Sequence, residues 1–192
     1  MGFTMTRMTS EVTGLPRGRA LTRDDLHTMP DDGHRYELVD GLLIVSPAPS
    51  FWHQDLLLRL AVTIFGVIPD DLTVLTAPFD VVLAQDTVIQ PDLLVAPRAD
   101  FTDRDLPLAP LLAVEVLSPS TRRFDLMLKR ERLQRAGCRH YWVFDPDEPS
   151  VLAFTLDGDV YVESGRALGD ELFSATEPFE ISFTLRSLTG QS

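Results

Sequence analysis

Three segments of the chain are predicted to be helical, two of them because apolar residues recur at helical spacing. The first is predicted because Thr22 can cap it and Asp24 and Asp25 favour its first turn. The segments run from residue 22 to 30, from 51 to 68 and from 121 to 136. In the second segment Leu56, Leu60 and Ile64 recur every four residues, so we expect that face in the core. Ser50 stands where a hydroxyl caps the first turn of this core helix. Gly137 follows the third segment, at the position where glycine commonly ends a helix.

Other segments are rich in Val, Leu and Ile and are bounded by Pro, Asp and Arg, a pattern typical of strands. Central strands are predicted at residues 73–84, 88–96, 111–117 and 141–144. Near the end of the chain Ile181, Phe183 and Leu185 alternate with polar residues, as the residues of an edge strand do. We therefore expect a sheet that is largely buried and has one exposed edge.

Two Asp-Gly dipeptides predict tight hairpins, because both residue types tolerate the positive φ angles that a two-residue turn requires. Asp40-Gly41 lies within the apolar segment Tyr36–Val45. Asp157-Gly158 separates residues 151–156 from residues 160–163. The first hairpin would carry Glu37 on its first strand.

Composition limits the number of domains and the cellular setting. A chain of 192 residues with 44% apolar content has enough material for one core. We expect a frayed tail at residues 1–20 and a single domain at residues 21–192. No run of 18 apolar residues and no cleavable leader is present, so we expect a cytoplasmic protein with no membrane partner. Cys138 is the only cysteine, which excludes an internal disulfide and a multi-cysteine zinc site.

The formal charge of −12 argues against broad adhesion to nucleic acid, which depends on lysine and arginine. Residues 122–139 form an exception with a local charge of +5. Their cations are Arg122, Arg123, Lys129, Arg130, Arg132, Arg135 and Arg139. This segment is either a basic face that binds a polyanion or a solvated helix surface.

Asp92 and Glu115 are carboxylates within apolar strand segments. Asp92 follows Pro91, and Glu115 lies between Val114 and Val116. A lone carboxylate is costly to desolvate, so each needs a partner. Two such acids on neighbouring strands can share a Mg²⁺ ion, which prefers oxygen ligands and retains water for a phosphate substrate. The alternative is a pair of acids exposed at a sheet edge.

Lys129 is the only lysine in a chain with sixteen arginines. One retained lysine suggests a position that needs a compact ammonium rather than a planar guanidinium. Lys129 shares a helical stripe with Leu126, Leu133 and Ala136, which favours an inward orientation. Phe124 and Leu128 lie on the opposite side, so the pattern leaves the buried face open. The alternative is a surface ion pair with Asp125, four residues earlier, which would contribute little stability.

Several motifs, in this order along the chain, resemble the Uma family. They are Tyr36-Glu37-Leu38-Val39-Asp40-Gly41, Ser46-Pro47-Ala48-Pro49-Ser50 with His53, Gln90-Pro91-Asp92, Val114-Glu115-Val116-Leu117-Ser118-Pro119-Ser120-Thr121, and Ala136-Gly137 followed by Tyr141-Trp142. Members of that family are described as "putative restriction endonucleases" within the PD-(D/E)XK nuclease superfamily. The resemblance covers residues 22–160. It implies an α/β (α+β) fold in which helices flank a mixed β-sheet, with a restriction-endonuclease-like core and an N-terminal β-hairpin.

The resemblance also implies a catalytic site. Asp92 and Glu115 would be the two acids that bind Mg²⁺, with Mn²⁺ as a substitute. The superfamily lysine normally stands two residues after the second acid, where this chain has Leu117. In the Uma pattern the lysine has moved to the following helix, where Lys129 would orient or help to deprotonate the attacking water. Glu37 resembles an additional acid near the metal.

Four further residues complete the predicted site. His53 is either a contact to the substrate or a polar residue satisfied within the fold, and Asp125 would position Lys129. Arg122 and Arg123 would contact the substrate from the basic segment.

Two classes of function fit these residues. The first is a Mg²⁺-dependent endonuclease that hydrolyses DNA and forms a homodimer, because a two-fold dimer matches the symmetry of a duplex. The second is a catalytically silent module that keeps the nuclease core to bind a partner or nucleic acid, which the acidic charge favours. Glycoside hydrolysis would use the two carboxylates but leaves Lys129 without a role.

Overall fold

The computed structural model describes residues 15–16, 18–119 and 122–189. In chain order its elements are α1 (Arg23–Leu26), β1 (Arg35–Val39), β2 (Leu42–Ser46), α2 (Phe51–Phe65), β3 (Leu72–Thr76), β4 (Asp80–Ala84), β5 (Thr87–Ile89), β6 (Leu93–Pro97), a 3₁₀ turn (Arg98–Asp100), β7 (Asp105–Leu106), β8 (Leu112–Val116), a π-helical segment (Phe124–Lys129), α3 (Arg130–Arg135), β9 (His140–Asp145), β10 (Ser150–Asp157), β11 (Val160–Leu168), β12 (Leu172–Ala175), β13 (Ile181–Thr184) and α4 (Leu185–Thr189). Most of the predicted N-terminal tail lies outside the described residues.

Two larger sheets and one small sheet make up the described stranded structure. The six-stranded sheet has the order β11-β10-β9-β8-β6-β3, and the five-stranded sheet has the order β2-β1-β5-β4-β7. β8 and β9 are parallel, as are β4 and β7, whereas the other neighbours in these two sheets are antiparallel. β12 and β13 form a two-stranded antiparallel sheet. The mixed sheet flanked by helices is therefore confirmed.

The central strands of the six-stranded sheet, β6, β8 and β9, are buried on both faces. On one face Leu93 and Val114 pack against Leu60 of α2. On the other face Leu94 and Ala113 belong to a second core cluster, which includes residues of the five-stranded sheet and α3. Burial on both faces explains why these strands are apolar almost throughout. By alternation along the strands, Asp92 and Glu115 fall on the face toward the five-stranded sheet.

Both predicted hairpins form. In the first, Asp40 and Gly41 adopt φ angles of 51° and 73° between β1 and β2. In the second, β10 and β11 extend beyond the predicted strands and pair along their whole length, with one irregularity after Ala153. α2 also begins where predicted, with the Ser50 hydroxyl accepting from the His53 amide at 3.3 Å, and it ends at Phe65.

The predictions of single strands at residues 73–84 and 88–96 were wrong, because each segment crosses between the two large sheets. The first divides into β3 and β4, and the second divides into β5 and β6. Pro78 and Pro91 lie at the two crossings. Proline cannot donate to a sheet ladder, so a central strand is interrupted there. Asp92 therefore lies at the crossing, directly before β6, and not inside a strand.

The predicted helix at 121–136 differs from the structure in its winding. Its first part, Phe124–Lys129, is π-helical, and regular α-helix follows at Arg130–Arg135. The wider turn brings Asp125, Lys129 and Leu133 to the buried side, whereas Ala136 is exposed. Short π-helical segments commonly occur at functional sites.

The end of the chain also differs from the predicted edge strand. Ile181 and Phe183 lie in β13 with buried side chains, but Leu185 begins α4. In the part of the chain that the structure describes, no helix combines the length and apolar character needed to cross a membrane.

We expect Gly41→Ala to destabilise the fold more than Gly158→Ala. Both glycines have positive φ angles, 73° and 60°, so alanine at either position costs roughly 1–2 kcal/mol. A Cβ on Gly41 would also lie 2.5 Å from the Ala20 Cβ, whereas one on Gly158 meets nothing within 4 Å. Overpacking at Gly41 adds about 1–3 kcal/mol. Urea unfolding of the two variants measures the difference, and equal losses would contradict this account.

Candidate active site

Asp92 and Glu115 lie opposite each other on neighbouring chain segments. The antiparallel register of β6 and β8 pairs Leu93 with Val114 and Leu94 with Ala113. One step further along the same register, Asp92 faces Glu115. The Val116 amide donates to Asp92 Oδ2 at 2.9 Å, which fixes the carboxylate at the end of the ladder. Both acids are buried, so the alternative of two acids exposed at an edge is wrong.

Lys129 contacts three carboxylates from three parts of the fold. Its Nζ lies 2.9 Å from Glu37 Oε1 on β1, 3.2 Å from Glu115 Oε1 on β8 and 3.4 Å from Asp125 Oδ1 in its own π-helical segment. The Lys129 side chain is 1% exposed, so the predicted alternative of a surface ion pair with Asp125 is wrong. The helical segment that follows β8 thus brings an ammonium next to Glu115.

Arg35 belongs to the same cluster and was not among the sequence candidates. Its Nη1 donates to Asp92 Oδ1 at 2.8 Å, and its Nε lies 3.6 Å from Glu37 Oε2. Arg35 and Glu37 are two residues apart on β1 and therefore share one face of the strand. The sequence signal that could have identified Arg35 was this pair of opposite charges, two residues apart, at the start of an apolar segment.

His53, in the first turn of α2, contacts the cluster from the opposite side. Its Nε2 lies 3.1 Å from Asp92 Oδ2, and its side chain is 12% exposed. Its Nδ1 is buried and has no hydrogen-bond partner among the described residues. The ring therefore supports Asp92 directly.

The charges of the cluster shift the pKa values of its members in different directions. Burial alone would raise the pKa of Asp92, but the His53 hydrogen bond and the Arg35 charge outweigh it and hold that pKa well below its usual range. Burial would lower the pKa of Lys129, but Glu115, Glu37 and Asp125 raise it above the ordinary value. Burial raises the pKa of Glu115 well above its usual range, because Lys129 compensates it only in part.

The residues present fit a hard divalent cation. Among the described residues, the cluster holds two permanent cations, Arg35 and Lys129, and four carboxylates, Glu37, Asp92, Glu115 and Asp125. With all six groups ionised, their formal charge is −2.

Glu115 Oε2 and Glu37 Oε2 are buried and accept no hydrogen bond in the described structure. A carboxylate has about four acceptor positions, and Asp92 uses three of them for Arg35, His53 and Val116.

No group of three or more His, Cys, Asp or Glu side chains forms a ready-made metal cage within the described ranges. Mg²⁺ does not require such a cage, because it commonly binds one or two carboxylates and keeps several waters. A set of carboxylate oxygens therefore suits a hard divalent cation.

A cavity of about 950 Å³ opens beside the cluster. Its lining includes three members of the cluster, Asp92, Arg35 and His53. The other side of the cluster is almost completely buried and lies outside the lining; it consists of Glu37, Glu115 and Lys129. Leu117 also lines the cavity. This is the position at which the resemblance would place the superfamily lysine, and here its side chain is apolar.

Arg122 and Arg123, the predicted substrate contacts, lie apart from this cavity lining. Arg122 pairs with Asp145 at 2.6 Å at the end of β9, and Arg123 is exposed. The predicted basic face is also divided, because Lys129 is buried, Arg132 lies 3.2 Å from Asp40, and Arg130 stacks over the Phe154 ring at 4.1 Å. These contacts leave no uniform basic stripe on the described part of this helix.

Comparison with solved structures supports the nuclease fold. The chain is similar to the crystal structure of a putative nuclease from Anabaena variabilis, with a TM-score of 0.68 and 18% sequence identity. The match covers 88% of this chain and 98% of that one. The class of the fold is therefore a nuclease-like arrangement of mixed sheets and helices, as the sequence predicts.

The family follows from the sequence itself. A family profile, Uma2, described as "Putative restriction endonuclease", matches residues 23–188. The chain belongs to this family, and the predicted resemblance is confirmed. Among curated proteins none matches this chain.

We expect the two central charges to affect stability in opposite ways when divalent metal is absent. Lys129→Met leaves the buried carboxylates without their shared cation and should cost about 3–5 kcal/mol. Glu115→Gln removes a carboxylate that is only partly compensated, so it should leave stability unchanged or raise it. Urea unfolding in EDTA measures both. A loss in Glu115→Gln as large as that in Lys129→Met would contradict an excess of negative charge in the cluster.

Proposed function

We propose that this protein is a Mg²⁺-dependent endonuclease that hydrolyses phosphodiester bonds in DNA. One observation carries the proposal: the described residues of the buried cluster include two more carboxylates than permanent cations, and two of its carboxylate oxygens, Glu37 Oε2 and Glu115 Oε2, accept no hydrogen bond, beside a cavity. A divalent cation would neutralise this excess. Membership of a family described as putative restriction endonucleases supports the same reaction class.

Asp92 and Glu115 would hold the ion, and Glu37 would assist directly or through water. When bound, Mg²⁺ neutralises the nonbridging phosphate oxygens and lowers the pKa of water. Mn²⁺ would substitute, because it also prefers oxygen ligands. His53 and the Val116 amide would keep the Asp92 carboxylate in one orientation, which limits the reorganisation needed during the reaction.

Lys129 would supply a positive charge next to the reacting centre, from a buried position beside Glu115 and outside the cavity lining. Three carboxylate neighbours within 3.4 Å favour its ammonium form, which suits a role in orienting the attacking water and countering charge on the phosphate. The attacking water adds to phosphorus and gives a proton to water in the cavity. The bond to the leaving oxygen breaks, and that oxygen takes up a proton from the same cavity water, so no net proton is gained or lost by the protein. Asp125 would position Lys129 from the preceding turn of the same helical segment.

The cavity itself makes the reaction dependent on cations. The charged side chains of its lining are mostly acidic: Asp31, Asp80, Asp92 and Asp147. The arginine in the same lining is Arg35. A phosphodiester would be repelled by this wall unless a metal ion offset the charge. Arg35 would contact the phosphate, since it lines the cavity beside Asp92.

A homodimer would suit cleavage of both strands of a duplex, because two-fold symmetry in the protein matches that of the DNA.

We expect wild-type protein to cleave DNA in Mg²⁺ or Mn²⁺ and not in EDTA. Glu115→Gln and Lys129→Met should each lower the rate by about a hundredfold or more, because each removes a group that acts on the charge developing in the transition state. Gel analysis of plasmid and short duplex cleavage over time measures the rates.

Glu131→Gln and Arg135→Met provide matched controls, since this exposed acid and base pair with each other on α3. Both controls should retain wild-type rates. Cleavage that persists in Glu115→Gln would indicate a contaminant or another site. A folded wild-type protein that binds metal and cleaves no nucleic acid would instead support the catalytically silent module.

We expect Mg²⁺ to raise the melting temperature through the carboxylate cluster. A ligand at about ten times its Kd stabilises the native state by roughly 1.4 kcal/mol, which is about 3–6 °C for a domain of this size. Asp92→Asn and Glu115→Gln should lose this shift, and Glu163→Gln on the exposed face of β11 should keep it. Differential scanning calorimetry with and without metal provides the measurement, and an equal shift in all proteins would place the ion elsewhere.

A further inference from the structure

An apolar stripe runs along the solvent side of α2. Its members are exposed large side chains with these exposed fractions: Phe51 70%, Leu58 63%, Val62 64% and Phe65 73%. The core side of the same helix is formed by a different set, Leu56, Leu57, Leu60 and Ile64. α2 is therefore apolar on two sides, although only one side contacts the described fold.

The four stripe residues lie on one line of the helix. Their spacings are seven, four and three residues, which places them within an arc of roughly 60° at 3.6 residues per turn. Trp52, 59% exposed, lies outside this arc, about 100° round the helix from Phe51, and packs edge-to-face against the Phe51 ring at 5.0 Å. This alignment is the pattern of a helix that packs against another surface.

The exposed area of the stripe is close to what a dimer interface needs. With aromatic side chains contributing about 150–250 Å² each when fully exposed, the four stripe side chains present roughly 500 Å². Isolated monomers rarely expose an apolar patch of more than a few hundred Å². A standard interface buries about 800 Å² on each partner, so the stripe and its rim would supply most of one side.

The order of residues along α2 is self-complementary. Leu58 lies at the centre of the stripe, and Phe51 and Phe65 stand seven residues before and after it. In two antiparallel copies related by a two-fold axis at Leu58, Phe51 would meet the partner's Phe65, and Phe65 would meet the partner's Phe51. Such an interface uses the same patch on both copies, as two-fold symmetry requires.

The charges of α2 do not oppose this packing. Its only acid and base are Asp55 and Arg59, which pair with each other at 3.0 Å. Two copies would therefore approach along a stripe with no unpaired charge, although the chain as a whole is strongly acidic. The remaining charge lies outside the surface that would be buried.

We infer that the exposed face of α2 is the interface of a two-fold homodimer, formed by a second copy of this chain packing antiparallel along Phe51, Leu58, Val62 and Phe65. The inference does not depend on catalysis. The proposed interface lies close to the cavity, because Trp52 and His53 of the same helix are part of the cavity lining. The two cavities of such a dimer would lie at opposite ends of an interface about 22 Å long.

Sedimentation equilibrium tests the interface directly. Wild-type protein should have twice the chain mass of 21.5 kDa at micromolar concentration. Leu58→Glu would place two like charges together at the two-fold axis, so the dimer dissociation constant should rise by at least about a hundredfold. Leu42→Glu, at a leucine of matched exposure, 62% on β2, should remain dimeric. Circular dichroism should show that both variants keep the wild-type fold.

A disulfide test distinguishes this interface from other dimer arrangements. In Leu58→Cys the two new thiols would meet at the two-fold axis and form a crosslinked dimer under mild oxidation, whereas Leu42→Cys should not. The native Cys138 is buried and burial raises its pKa to about 12, so it should remain unreactive in both variants. A monomeric wild type at about 100 µM, a dimer that persists in Leu58→Glu, or a crosslink at position 42 instead of 58 would each overturn the inference.

Discussion

The ammonium of Lys129 joins three parts of the fold at one buried point. Glu37 comes from the five-stranded sheet, Glu115 from the six-stranded sheet and Asp125 from the π-helical segment, and all three contact the same nitrogen within 3.4 Å. Without this cation, the facing surfaces of the two sheets would bring carboxylates together in a space that excludes water. The packing of the sheets and the geometry of the site therefore depend on the same interaction.

Much of the fold could be predicted because its signals are local. The Asp40-Gly41 turn, the cap at Ser50 and the buried leucines of α2 each depend on residues within a few positions of one another. The burial of Asp92 and Glu115 was also accessible, since an acid within an apolar segment of the chain needs a partner. The family resemblance added the mixed sheet, its flanking helices and the N-terminal hairpin.

Other features depend on contacts between distant residues and could not be read from spacing. At Pro91 one apolar segment passes from the five-stranded sheet to the six-stranded sheet. The point at which it divides depends on how the two sheets pack against each other. The π-helical winding decides which side of its segment is buried, and the 3.6-residue pattern left that side ambiguous. Arg35 joins the cluster only because β1 faces Asp92, 57 residues later in the chain.

The position of the lysine has a consequence for how this site can change over time. Lys129 is 14 residues beyond Glu115, on an element separate from the strand that carries the acid. Strand and helix can therefore accumulate substitutions independently. A relative can retain every motif around the two acids and still lose the ammonium through one change on the helix. Within such a group of proteins, the two acids would indicate common ancestry. The lysine would indicate whether the proposed nuclease activity has been retained.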